Sequence, residues 1–270
     1  MGDPSHIETI KAYWSRNGLG QAILEALAAS GKDLEALTID DLAPLDQFHG
    51  GGKRATMRLA RRAELTPGMR VLDVGGGLGG PARTLAVECG CHVTVIELTE
   101  SYVRAAEALT TRLGLGDRVT HQIGNALELP FDDGLFDVLW TQNSGMNIAA
   151  KEQLYMGFHR VLRPGGRLAF QEPMAGPVQP PIFPLMWARD ATTNFLRTPM
   201  EMHALIEATG FQPRAWDDVT AETSGSSTTY STHSIQYLVM GDLLAAITHN
   251  GRRNRNEGRV VMVQAVFDRP

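Results

Sequence analysis

Asp73 and Glu97 each stand at or near the end of a short apolar run, Asn125 follows "RVTHQIG", and "VGGGLGG" after Asp73 puts five glycines into the six positions 75 to 80. Glycines this dense let the backbone turn tightly against a ligand and feed the amino end of a helix, where unpaired N–H groups gather. Asp73, two residues before the first glycine, would attract a cationic group and repel a pyrophosphate. Glu97, 22 residues beyond Gly75, suits a pair of hydroxyls, and Asn125 beside Ala126 suits the amino edge of a flat heterocycle. His49, in "DQFHGGG", offers an imidazole for proton removal near neutrality, or a hydrogen bond that holds the loop over the ligand.

The glycines alone support two readings. Gly75, Gly77 and Gly80 make the G-x-G-x-x-G of a dinucleotide turn, whereas Asp73, Gly75, Gly77 and Gly79 make the D-x-G-x-G-x-G associated with S-adenosylmethionine (SAM). An NAD-dependent oxidoreductase rests on the first reading only. The surrounding residues favour SAM: Asp73 for the cationic amino end of its methionine, Glu97 for its ribose and Asn125 for its adenine. A non-catalytic SAM-binding protein is a third reading, because a glycine turn does not by itself prove chemistry.

These residues need a frame that brings strand tips together. From residue 68 to about 172 strand and helix alternate: "MRVLDV", "GPARTLAVEC", "HVTVIEL", a helix with Tyr102, Ala106 and Leu109, "RVTHQIG", "FDVLWTQ", a helix with Leu154, Phe158 and Val161, the turn "RPGG", and "RLAFQE". The pattern predicts an α/β fold, a parallel sheet covered by helices on both faces, with its ligand at the carboxyl ends of the strands. Two amphipathic helices within residues 5–30 precede it, followed by a polar stretch to Pro44. A helix then follows "HGGGK", and its Arg54, Arg58, Arg61 and Arg62 read as a solvated face. Beyond Glu172, five prolines in "PMAGPVQPPIFPLMWARD" predict a long loop over the carboxyl edge. A helix from about Pro199 to Thr209, a strand near "FQPRAW" and a Ser/Thr-rich loop "TSGSSTTYSTHS" come next. A helix over "IQYLVMGDLLAAITHN", a basic loop "GRRNRNEGR" that is solvated or receives an acidic acceptor, and a last strand "RVVMVQAVF" complete the chain.

A chain of 270 residues, 43% apolar and 20% charged, fits one sizeable α/β domain with appendages or two small domains. The net charge of −5 and pI near 5.9 argue against a general nucleic-acid binder. No apolar run is long enough for a membrane span and the opening "MGDPSHIETIK" lacks an apolar core, so a cytosolic location is expected. Cys89 and Cys91 read as buried thiols at a helix-to-strand junction, and no metal is expected because no metal-ligand spacing appears.

Together, "DQFHGGGKRAT", "VLDVGGGLGGPARTLA", "GNALELPF" and "VLRPGGRLAF" make residues 45 to 172 resemble the class I SAM-dependent methyltransferases. The likeness is to the small-molecule branch that includes the ubiquinone/menaquinone C-methyltransferases and the glycine, sarcosine and dimethylglycine N-methyltransferases. It implies a Rossmann-like fold: a seven-stranded, mostly parallel sheet with an antiparallel last strand and a helical cap over its carboxyl edge. Residues 1–45 would form the N-terminal cap, and 46–270 the catalytic domain with acceptor-pocket insertions at about 173–200 and 222–256. The resemblance further implies SAM as cofactor and S-adenosylhomocysteine (SAH) as product. Asp73, Gly75, Gly77 and Gly79 would wrap the methionine, Glu97 the ribose, Leu98, Asn125 and Ala126 the adenine, with Gln142 and Asn143 beyond the fourth strand. Two positions depart from the family pattern. Gly76 replaces a cysteine or other residue, a change expected to matter little, and Asn125 replaces a frequent aspartate, exchanging a charge-assisted hydrogen bond for a neutral one. The expected reaction is in-line methyl transfer to a small molecule, driven mainly by proximity and orientation, with N-, C- and O-nucleophiles all open. His49 is the candidate base, and Tyr13, Trp14, Met146, Phe183 and Trp187 are candidates for the acceptor pocket.

Overall fold

The computed structural model describes residues 4–223 and 234–270, so nearly all of the Ser/Thr-rich loop lies outside the described residues. The chain opens with α1 (Pro4–Trp14), α2 (Leu19–Ala29), α3 (Ile39–Asp46) and α4 (Gly52–Arg62). Helix α3 occupies the stretch expected to be merely polar. Thr38 and Asp41 form a capping box, each side chain accepting the other's backbone N–H, and this starts a helix in spite of Pro44.

The alternating region gives β1 (Arg70–Val74), α5 (Gly80–Glu88), β2 (His92–Glu97), α6 (Glu100–Arg112), β3 (Val119–Ile123), β4 (Phe136–Gln142), α7 (Lys151–Val161) and β5 (Leu162–Ala175). Then come α8 (Pro199–Ala208), β6 (Gln212–Asp218), α9 (Thr220–Thr223), α10 (Ile235–Met240), α11 (Leu244–Asn256) and β7 (Val260–Asp268). The sheet order is β3-β2-β1-β4-β5-β7-β6. Strand β7 runs antiparallel to β5 and β6, and the other pairs are parallel. Winding reverses between β1 and β4, which leaves a crevice at their carboxyl ends. Successive side chains enter opposite cores: Leu72 and Leu139 join Phe158, Phe170 and Phe267, whereas Val71 and Val138 join Leu59, Leu85 and Trp140. A third cluster joins Leu27 of α2, Leu42 of α3, Leu109 of α6 and Ile247 of α11, so the N-terminal helices share a core with the rest of the chain.

Three local expectations change. The "RPGG" turn is an excursion within β5: Leu162 pairs with Phe136 and Arg167 with Val138, and Gly165 has φ +74. The same strand continues past Glu172, pairing Met174 with Val261 and Ala175 with Val260, so the proline loop begins at Gly176. The basic run is no loop, because α11 carries Arg252, Arg253 and Arg255 within it. Asn254 fixes that helix to the proline loop, accepting from Ile182 N–H at 2.8 Å and donating to its carbonyl at 2.8 Å. The basic face of α4 is partly paired: Arg58 with Glu222, and Arg62 with Asp217 at 3.1 Å. Among the described residues no helix is long and apolar enough to cross a membrane.

Candidate active site

A cavity of about 1130 Å³ opens at the carboxyl ends of β1, β2 and β4. Asp73 lines it, is 1% exposed, and has an Oδ2 without a hydrogen-bond partner among the described residues. Burial, and then the neighbouring Glu97, push its carboxyl up to about 8. Glu97 accepts the N–H of Gly77 at 3.2 Å and of Thr99 at 2.8 Å, and burial raises its carboxyl too. Gly75 has φ +70, and a Cβ there would fall 2.4 Å from Ser144 Cβ. At Gly76 a Cβ would fall 2.7 Å from Val95 Cγ1 and 2.8 Å from Asp73 Oδ2, so the residue expected to matter little is fixed by close packing. Gly77, Leu98, Asn125, Ala126, Gln142 and Asn143 also line the cavity. Gly79 does not. It is the N-cap of α5 with φ +75, and a Cβ there would meet His121 at 2.6 Å, so it shapes the turn from behind.

Several buried polar atoms at this end lack partners. Besides Asp73 Oδ2, the buried Gln142 Nε2, Asn143 Oδ1 and Tyr102 hydroxyl make no hydrogen bond among the described residues, and all belong to lining residues. Buried polar groups are normally satisfied, so this set points to a polar ligand. Asn125 Oδ1 accepts Leu127 N–H at 3.0 Å, which orients the amide and leaves its second lone pair and its NH₂. An ammonium, a ribose and an aminopurine match these groups. A pyrophosphate would bring negative charge against two buried carboxyls. The residues therefore fit SAM and oppose the dinucleotide reading.

The loop over this end is held by three glutamines, of which the sequence singled out only Gln142. Gln142, Gln171 and Gln264 are cross-strand partners on β4, β5 and β7. Gln264 Nε2 donates to Gln171 Oε1 at 2.8 Å and to Ala55 O at 2.9 Å, and Gln171 Nε2 donates to Gly50 O at 3.0 Å. Gln142 Oε1 accepts from Thr56 and Trp140, both at 3.1 Å. His49 belongs to this clamp: its Nε2 lies 3.0 Å from Gln47 Oε1, its Nδ1 lies 3.3 Å from Gly50 O, and burial pulls its pKa down to about 4. Arg83, 0% exposed, joins loop to turn through Asp46 at 2.8 Å and Leu78 O at 2.6 Å. Glu172 accepts the N–H groups of Ser144 at 3.0 Å and Gly145 at 2.9 Å, fixing the segment after β4. For Gln264 the available signal was a lone polar residue within the apolar run of β7.

The other end lies under α1, the 176–198 loop and α11. Trp14, Met146 and Trp187 line it. Tyr13 and Phe183 do not: the Tyr13 hydroxyl turns away to the carbonyls of Leu185 and Met186, at 3.2 and 3.1 Å, and Phe183 packs against the cluster of Leu185 and Trp187. Asn147 and His6, absent from the sequence expectations, draw the pieces together. Asn147 Nδ2 donates to Trp187 O at 2.9 Å and Thr193 O at 2.7 Å, and its carbonyl accepts from His6 Nε2 at 3.0 Å. Position 6 shares a helical face with Ile10 and Trp14, which was the signal for it.

Comparison with known proteins agrees with this geometry. Residues 71–166 match the family model described as a methyltransferase domain. The chain is 34% identical over 132 residues to the glycine/sarcosine/dimethylglycine N-methyltransferase of Actinopolyspora halophila, a match covering 49% of this chain and only 23% of that protein. It is 30% identical over 204 residues to the sarcosine/dimethylglycine N-methyltransferase of Halorhodospira halochloris, covering 72% of this chain and 71% of the relative. The fold is shared with the [4+2]-cyclase SpnF at a TM-score of 0.73 and 21% identity, over 99% of this chain and 97% of the other. By its sequence and its fold, the chain belongs to the SAM-dependent methyltransferase family.

Proposed function

We propose that the strand-tip end of the cavity binds SAM and that the chain transfers its methyl group to a small-molecule acceptor held under α1, the 176–198 loop and α11. The observation that carries this reading is the buried carboxyl of Asp73, its Oδ2 without a partner among the described residues, beside Glu97 at the carboxyl ends of β1 and β2. SAM supplies a methyl on a sulfonium, already activated for in-line displacement. Asp73 ionises against the ammonium, Glu97 accepts the ribose hydroxyls, and Leu98, Asn125 and Ala126 receive the adenine. Gly75 and Gly77 bring the backbone close, with Gln142 and Asn143 closing the far side.

His49 keeps the loop in place instead of taking a proton. A ring with a pKa near 4, whose two nitrogens are turned to Gln47 and Gly50 of its own loop, is a poor base at neutral pH. Alignment of two reactants contributes about 7 to 11 kcal/mol, whereas a base adds a factor of about 10² to 10⁴, so positioning dominates. The free thiols of Cys89 and Cys91 accord with a reducing, cytosolic setting. The test is incubation with methyl-labelled SAM and a metabolite extract. A labelled small-molecule product is expected; its absence while SAM still binds would leave the non-catalytic reading.

A further inference from the structure

The acceptor end has a chemistry of its own. Its walls are built from Ile7, Ile10, Trp14, Met146, Trp187 and Ile247. The whole cavity, at about 1130 Å³, exceeds the roughly 300 to 1000 Å³ typical of a single drug-sized ligand, so a second molecule of substantial size fits beside the cofactor. Gln236, Arg255 and Asn256 also line this end, and three further polar side chains there are tied up by the fold. Asn147 spends both amide hydrogens on Trp187 and Thr193, Asn254 is closed on Ile182, and the Thr248 hydroxyl donates to Leu244 O at 2.7 Å. Arg252 touches the cavity from an exposed position at its rim.

His6 differs. Its Nε2 faces a backbone carbonyl, which can only accept, so in the neutral ring Nε2 carries the proton and Nδ1 presents a lone pair. The ring is half-buried, stands edge-on to Phe195 at 5.1 Å, and lines the cavity, while Nδ1 has no partner among the described residues. An oriented acceptor on an apolar wall selects a ligand that brings one donor.

We infer that the methyl acceptor is an apolar molecule carrying a hydroxyl, a phenol or enol in chemical class, and that His6 Nδ1 receives that hydroxyl. His6 is thus a specificity-determining residue. A small zwitterion such as sarcosine would leave most of this end empty. The inference rests on the proposed placement of SAM at the strand tips.

The test is a calorimetric titration of the SAH-saturated protein with 4-butylphenol, butylbenzene and sarcosine. 4-Butylphenol is expected to bind well above sarcosine. His6→Phe, which keeps an aromatic ring, should weaken 4-butylphenol about 3- to 10-fold, the loss of one neutral hydrogen bond, and leave butylbenzene unchanged. Sarcosine binding as tightly as the phenol, equal phenol affinity in wild type and variant, or loss of butylbenzene together with the phenol would each overturn the inference. Failure of SAH itself to bind would overturn the proposed function as well, and is seen before any acceptor is added.

Discussion

At the proposed cofactor end each polar residue sits within a strand or a few residues beyond its tip: Asp73 in β1, Glu97 closing β2, Asn125 after β3, Gln142 closing β4. The acceptor end is assembled from α1, the 176–198 loop and α11, which meet through side chains such as Asn147 and Asn254. A hydrogen-bonded ladder fixes the first set together, so their spacing is a property of the sheet. The second set depends on cap pieces whose sequences can change without disturbing that ladder. One frame can therefore keep a single cofactor site while its acceptor chamber varies.

Four substitutions would break or sharpen this contrast. Arg83→Met should have the largest effect: it leaves Asp46 buried without its cation and frees Leu78 O, costing about 3 to 5 kcal/mol in denaturant unfolding. Glu97→Ala should weaken SAH about 100-fold by calorimetry, two charge-assisted hydrogen bonds being lost. Asp73→Asn should weaken SAH about tenfold and also change the pH dependence. In the fold the Asp73 carboxyl titrates at about 8 against 3.8 for the unperturbed group, so the native state holds the extra proton between those values. Stability of the ligand-free wild type should therefore fall as pH rises from about 4 to 8, and SAH, whose ammonium needs the ionised carboxylate, should bind more tightly over the upper part of that range. Both slopes should flatten in Asp73→Asn. Asn147→Ala should have the smallest effect on the cofactor, leaving SAH affinity within about twofold, since less than 1 kcal/mol separates such values. Hydrogen exchange should nevertheless rise in residues 4–14 and 183–196. Equal loss of SAH affinity would mean that the two ends are not separately built.

The same contrast explains what could be read from the sequence. The sheet and the turn were legible because their signals are local: Asp73 to Gly79 span seven residues, and the strands announce themselves by apolar runs. Gly76 was misjudged because its neighbour, Val95, arrives from β2. The glutamine clamp needs the pairing of Gln171 with Gln264, 93 residues apart, which no local pattern encodes. Tyr13 and Trp14 are adjacent, yet only Trp14 faces the cavity, because neighbours on a helix point in different directions. Helix α11 was read as ending early because its arginines look solvated, whereas Asn254 among them is 1% exposed.

The most direct measurement of the cofactor assignment is a calorimetric titration of the wild-type chain with SAH and, separately, with NADH. Saturable binding of SAH and none of NADH is the expected result, with the two carboxyls at the turn excluding a pyrophosphate. Saturable binding of NADH with no response to SAH would contradict it.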